Sequence, residues 1–351
     1  MKKVLKVILI ILLVLALLAA AAVMLLPMIM NEAMGGTIEL DEPHVHHQVD
    51  AGAPVVYFTN DISPKGLVAI YEALGVELTG EKIAVKISTG EPPNSNYLDP
   101  ALIGDLVKLL NGTIVESNTA YGGSRSETEL HYQVAKDHGY TEIADVVILD
   151  ETGSMALPVT GGKHLTENLV GAHFAEFDGM LVLSHFKGHP MGGFGGAIKN
   201  ASIGIASTEG KCVIHTAGNS HTTVWFGRQN DFLESMAEAV TSVEDALDGN
   251  IIYINVMNNL SVDCDCNGNP DEPDIHDIGI LASTDPVALD QACVDLIYQA
   301  SGSEALQARI EERNAERVLK YGEEIGLGSR DYVLVTIDPQ HDFSKQEPTG
   351  L

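Results

Sequence analysis

From residue 54 onward the chain alternates short apolar runs with amphipathic stretches. Apolar runs of four to eight residues bounded by Gly, Pro, Asn or Asp read as buried strands, and apolar positions three and four apart read as helices. On that rule "VVYFT" (55–59), "KIAVKIS" (82–88), "TIVES" (113–117) and "DVVILD" (145–150) are strands. "KGLVAIYEALG" (65–75), residues 99–110 and "SETELHYQVAKDHG" (126–139) are helices. Asp99-Pro100 opens the second of these, because an Asp cap accepts an unpaired amide and Pro is tolerated in the first turn. The second half repeats the style, with strands at 179–185, 251–257, 277–283 and 331–337. Its helices are 231–247, 285–300 behind Asp285-Pro286, and a charged one over 304–326. Strand and helix alternating at this spacing predict right-handed βαβ units. The expected fold class is α/β, a mostly parallel sheet flanked by helices. The body spans 53–340, either undivided or in two lobes, and a loose tail follows over 341–351.

The N-terminus breaks this pattern. Lys2, Lys3 and Lys6 precede an uncharged apolar run from Val7 to Met30. A membrane span needs about 20 residues, whereas the apolar part of a signal peptide is about 7–15. The run therefore predicts one N-terminal transmembrane helix, with residues 1–31 as a membrane anchor or uncleaved signal. The alternative is a signal peptide cut near Ala19–Ala22. Basic residues ahead of the span, and Glu32, Glu39, Asp41 and Glu42 behind it, put the N-terminus in the cytoplasm and the bulk of the chain outside. The expected location is the cell membrane, single-pass, with the membrane as a partner. No Cys lies near the segment, which excludes a lipoprotein anchor. Residues 32–52 read as a polar tether; a short His cluster can bind metal, but in a tether His44, His46 and His47 read as a chance cluster.

Charge narrows the partners. The chain has 351 residues with 49 acidic against 20 basic, a formal net charge of −29. Binding nucleic acid means neutralising phosphates with Lys and Arg, so nucleic acid is not an expected partner. A small molecule or a metal is. The four cysteines are too few for a disulfide framework in a chain this long.

Candidate chemistry gathers in four loops, each after a predicted strand. Open α/β sheets bind ligands at the carboxyl ends of their strands. "SHFKGHPMGGFGGAIKN" (184–200) combines His185, Lys187, His189 and Lys199, the candidate catalytic residues, with Gly195 and Gly196, which bare backbone to a ligand, and Asn200 as a further ligand-binding residue. It matches neither a dinucleotide-binding glycine motif nor a P-loop. "STGEPPNSNYLDP" (88–100) offers Glu91, Asn94 and Asn96, and "NTAYGGSR" (118–125) offers Tyr121 and Arg125, as ligand-binding residues. In "DCDCNGNPDEPD" (263–274) two metal readings stay open. Asp263, Asp265, Asn267, Gly268, Asn269 and Asp274 fall at calcium-loop spacing, with Asp in place of the usual Glu. Cys264 and Cys266 offer soft donors on one face of an extended segment. Asp263, Cys264, Asp265 and Cys266 are the candidate metal ligands, and a divalent metal the candidate cofactor.

The segments "VKISTGEPPNSNYLDPALI", "NTAYGGSRSETELHYQVAKDHGY", "LSHFKGHPMGGFGGAIKNASIGIASTEGK" and "CDC…PDIHDIGILASTDPVALDQACVDL" resemble domain of unknown function family 362, whose members are often labelled iron–sulfur centre proteins. The resemblance covers roughly 54–300. Many members carry a ferredoxin-like insert with Cys clusters ahead of the Cys-Asp-Cys segment. Here only Cys212 lies between Lys211 and Cys264, so an iron–sulfur cluster is not expected. The family has no settled reaction. A fainter likeness links His189 and Gly195-Gly196-Ala197-Ile198-Lys199 to the lactate racemase family, whose corresponding Lys anchors a nickel-pincer nucleotide; the spacing differs by one residue.

The loops are expected to close into one cleft: 184–200 against Glu91, Asn94, Tyr121 and Arg125 on one side and Asp263–Cys266 on the other, with Lys199 as the central charge. The expected function is a metal- or cofactor-dependent enzyme acting on a small anionic ligand. The alternative is a noncatalytic envelope protein that binds a metal or small ligand.

Overall fold

An eight-stranded sheet runs through the computed structural model, which describes residues 38–273 and 275–338. Its strands are β1 (Val55–Thr59), β2 (Ile83–Lys86), β3 (Thr113–Glu116), β4 (Val146–Ile148), β7 (Gly179–His185), β10 (Ile251–Met257), β11 (Gly279–Ser283) and β12 (Val333–Thr336). Two hairpins stand apart from it, β5 (Ser154–Pro158) with β6 (Glu167–Gly171), and β8 (Lys187–His189) with β9 (Gly193–Gly195). The sheet order is β12-β1-β11-β10-β7-β2-β3-β4. Every neighbouring pair is parallel except those of β11, which runs against both β1 and β10.

Helices cover both faces. α1 (Pro64–Ala73), α2 (Pro100–Leu109) and α3 (Thr128–Asp137) precede β4 in the chain. α4 (Ala197–Ser202), α5 (Thr208–His215), α6 (Gln229–Ala246), α7 (Pro286–Gln299), α8 (Glu304–Glu312) and α9 (Arg317–Glu324) belong to the second half. The strands read as almost continuous apolar runs because alternate side chains enter different cores. Leu181, Leu183, Ile252 and Ile254 join Leu67, Ile70, Leu102 and Leu106 from α1 and α2. Met180, Val182, Ile251 and Tyr253 join Leu233, Val240, Ala288 and Leu319 from α6, α7 and α9. Truncating one of these buried leucines to Ala would cost about 2–5 kcal/mol.

From β2 the chain steps outward to β3 and β4. It then returns to β7 beside β2 and steps the other way to β10. The strand order thus reverses between β2 and β7, and loops leaving those two strands diverge there and open a crevice.

Three local outcomes differ from the sequence pattern. The helix expected over 304–326 is two helices, α8 and α9. Asn314 turns the chain between them at φ 50°, a left-handed conformation Asn tolerates, and its amide bonds the Glu39 carbonyl and Asp41. The two hairpins and short α4 carry no strong period of their own. Residues 38–52, expected as a free tether, lie against the body. Val49 N–H donates to the Tyr332 carbonyl at 2.8 Å, and His47 N–H donates to Asp295 at 2.9 Å. The span expected over 7–30, Asp274 and the 341–351 tail lie outside the described residues. Among the described residues no helix is long and apolar enough to cross a membrane.

Candidate active site

The crevice holds a cavity of about 70 Å³. The carboxyl ends of three parallel strands supply its floor: Lys86 and Ser88 from β2, Glu116 and Ser117 from β3, Ser184 and His185 from β7. Lys199 and Asn200 of α4, Lys187 of β8, Lys211 of α5, Tyr121 and Arg125, and Cys264 and Cys266 complete the wall. Two glycines set the local backbone. Gly193 has φ 78°, and a Cβ there would lie 2.4 Å from Ala315. A Cβ on Gly188 would strike the Val262 backbone at 2.2 Å, and Gly188 N–H donates to the Ser261 carbonyl at 2.8 Å. The β8–β9 hairpin therefore lies directly on the segment that carries Cys264–Cys266.

Five basic side chains line this one cavity: Lys86, Arg125, Lys187, Lys199 and Lys211. Two are held by carboxylates. Lys187 Nζ is 2.8 Å from Asp265 Oδ2. Burial pushes the Asp265 carboxyl up, but His185 and Lys187 outweigh it and hold it well below the usual carboxylate range. Arg125 reaches Glu91 at 3.2 Å and Glu116 at 3.3 Å, and Glu116 also receives Thr89 N–H at 2.8 Å. Lys86 is almost fully buried; its Nζ donates to the Ile87 carbonyl at 2.5 Å and to Asn200 Oδ1 at 2.9 Å. Desolvation, with Lys211 and Arg125 adding and Glu116 opposing, pushes its pKa down to about 7. Lys211 donates to the Ala206 carbonyl at 2.6 Å and is pushed down to about 8, again chiefly by burial. Lys199 Nζ makes no hydrogen bond among the described residues and is open to a ligand.

The two cysteines shift one another in opposite directions. The neighbouring Cys264 thiol is the largest influence lowering Cys266, to about 6, with Lys199, Tyr121 and Arg125 assisting against desolvation. Cys266, then burial, raises Cys264 to about 12. The first proton lost therefore comes from Cys266. Cys266 N–H also donates to Cys264 Sγ at 3.3 Å. Tyr121 is 40% exposed and closes the mouth, with its hydroxyl turned toward Cys266.

His189 Nδ1 accepts from Met191 N–H at 3.1 Å and Gly192 N–H at 2.8 Å. The neutral ring therefore carries its proton on Nε2, 4.0 Å from Cys266 Sγ. Burial, then Lys199, pushes its pKa down to about 4. Donor atoms of His189, Cys264 and Cys266 lie within 4.8 Å of one another and are compatible with a soft metal ion. A bound ion would take the Nε2 position and displace that proton. A carboxylate, a phosphate or a metal ion fits this cavity.

The remaining candidates serve other ends. His185 Nδ1 faces Asp265 at 2.8 Å and Nε2 faces the Asn258 carbonyl at 2.6 Å, which leaves neither nitrogen open to a ligand. Asn94 binds the Asn267 carbonyl and takes Asn96 N–H, and neither residue lines the cavity. The calcium-loop arrangement is not formed: Asp265 points into His185 and Lys187, while Asp263 points toward Arg309 at 3.8 Å and the Asp271 amide. The cysteines do not converge as a set of four, since Cys212 sits on α5 and Cys293 on α7, 3.4 Å from Asn255.

A family model described as domain of unknown function (DUF362) matches residues 83–295. The chain belongs to the DUF362 family. That match contains every cavity-lining residue named above. No curated protein matches the chain. A solved structure, the lactate racemase apoprotein from Thermoanaerobacterium thermosaccharolyticum, is similar with a TM-score of 0.40 and 13% identity. The match covers 70% of this chain and 57% of that one. Sequence reasoning missed Lys86, Lys211 and Glu116 in this DUF362 site. The available signal was a charge inside an apolar strand, Lys86 within "KIAVKIS", where a Lys is almost never fully buried without a reason.

Proposed function

We propose that this DUF362 protein is an envelope enzyme that binds a small oxyanion and acts on it at Cys264 and Cys266. The observation that carries the reading is the convergence of four lysines, an arginine and two cysteines on one small cavity in a chain of net charge −29. Lys199, Lys211 and Arg125 would bind and orient the anion, with Ser88 and Ser184 as neutral donors. Lys86 titrates near neutrality and would exchange a proton with the ligand. The Cys266 thiolate would face the bound group as a nucleophile or as a metal donor. His189, Cys264 and Cys266 would hold a soft ion, which supplies Lewis acidity when bound. The apolar run from Val7 to Met30 supports a single-pass anchor with this domain outside the cytoplasm.

Calorimetric titration with orthophosphate and with oxalate, on protein freed of metal and again with zinc restored, tests the reading. One equivalent should bind, and Lys199→Met should weaken it tenfold or more. Absence of binding by either anion in both states would overturn it. Capture without turnover is the second reading. It is favoured because His185 and the carboxylates of Asp265, Glu91 and Glu116 are all committed to internal pairs. Recovery of every bound anion chemically unchanged would select it.

A further inference from the structure

We propose a second metal site, separate from the cavity, in which His44, His46 and Asp295 bind a zinc-like divalent cation and fasten the N-terminal arm to α7. Donor atoms of the three residues lie within 4.8 Å of one another. His44 Nε2 is 3.6 Å from Asp295 Oδ1, and His46 Nδ1 is 3.7 Å from Asp295 Oδ2. Bonds of about 2.0–2.2 Å in a tetrahedral site separate donors by about 3.4 Å, so small side-chain shifts close these gaps.

His44 is prepared as a ligand. Its side chain is 6% exposed and stacks on Tyr298 with ring centroids 3.8 Å apart, which fixes the ring plane. Nδ1 faces Glu316 Oε1 at 2.9 Å. A carboxylate only accepts, so Nδ1 carries a proton, and the neutral ring presents its lone pair at Nε2. This is the carboxylate–histidine pairing that orients metal-binding imidazoles. Nε2 is buried without a hydrogen-bond partner. Facing a fully buried carboxylate, it calls for a proton or a metal cation between the two. Asp295 is itself held by Gln291 at 2.8 Å, Tyr332 at 2.9 Å and His47 N–H at 2.9 Å. His46 is about half exposed and leaves a side of the site open to water. Two imidazoles and one carboxylate suit zinc better than calcium or magnesium.

The consequence is mechanical: one ion would join residue 44 to residue 295 and hold the arm that leads toward the apolar N-terminal run. The test uses the full chain in detergent with Cys264 and Cys266 both replaced by Ser, so that zinc has no thiol site. Equilibrium dialysis should find one zinc per chain. Hydrogen exchange of residues 43–49 should slow about 100-fold at a free zinc concentration 100 times Kd, and recover on chelation. His46→Asn should lose both effects. His47→Asn should keep them, because that ring faces Asp331 at 3.0 Å. Three results would each overturn the proposal: no zinc in the protein lacking Cys264 and Cys266, zinc retained in its His46→Asn form, or zinc bound without protection of 43–49. In any of them the cluster is an ion pair without metal. The cavity reading stands or falls separately, since it rests on none of these residues.

Discussion

Replacing Cys264 by Ala removes the neighbouring thiol, the largest cause of the low Cys266 pKa. The midpoint should move from about 6 toward its ordinary value of 9.0. At pH 7 the thiolate fraction then falls from about 0.9 to about 0.01, roughly 90-fold. Reactivity falls much less. A thiolate becomes more nucleophilic as its pKa rises, by 0.4–0.5 decade per unit, or about 20-fold over this range. The alkylation rate at pH 7 should therefore drop only about fourfold, while the midpoint of the full pH profile moves by up to about three units. The assay is thiolate ultraviolet absorbance and iodoacetamide alkylation from pH 4 to 10, after metal removal, with the labelled residue located by mass spectrometry. An unmoved midpoint would refute the influence of Cys264 and leave Lys199, Tyr121 and Arg125 as the cause of the low value.

Asp265→Asn leaves Lys187 and His185 buried without their shared carboxylate and should cost about 3–5 kcal/mol in urea unfolding; adding Lys187→Met should recover part of it. Lys86 is held below its ordinary value, so between its folded pKa near 7 and 10.5 only the unfolded chain keeps the proton, and stability rises with pH. Lys86→Met should remove that contribution, about 1.4 kcal/mol per pH unit per proton over that window, in denaturation curves compared at pH 7 and 10; an unchanged slope would mean that the amine is not depressed.

Much of the fold was legible because buried strands and amphipathic helices have different periods. "GMLVLSH" and "IIYINVM" match β7 and β10 residue for residue. The break at Asn314 was not legible, since the charged period runs through it and the reward is tertiary, from Glu39 and Asp41. The strand-end rule picked out loops that meet: Tyr121, Arg125, Lys187, Lys199, Cys264 and Cys266 line one cavity. The rule names loops, however, and cannot say which way each side chain turns. Asp263, Cys264, Asp265 and Cys266 alternate along one segment, and only the structure separates the two thiols from an aspartate committed to Lys187. His44 and His46 read as a chance cluster from sequence because the carboxylate beside them, Asp295, is 249 residues beyond His46 in the chain.

Net charge and local charge make opposite demands on an anionic ligand, and Lys199 decides between them. A globule of about 300 residues has a radius of about 25 Å. With 29 excess negative charges it repels a monovalent anion at its surface by about 1.4 kcal/mol in 0.1 M salt. One bare cation about 5 Å from the anion, at an effective dielectric of about 20, attracts it by about 3 kcal/mol. Lys187 and Arg125 are largely offset by Asp265, Glu91 and Glu116, and Lys86 and Lys211 lose much of their charge near pH 8, so Lys199 is the cation left to outweigh the surface. Cys266 reports the balance directly. Iodoacetate carries the charge that iodoacetamide lacks, and both attack the same thiolate. At pH 8 the iodoacetate-to-iodoacetamide rate ratio at Cys266 should exceed that of free cysteine, and Lys199→Met should lower it tenfold or more. The comparison is internal to each variant, so a change in thiolate fraction cancels. A ratio below that of free cysteine in the wild type would show that the surface field governs the cavity, and the anion-binding reading would fail with it.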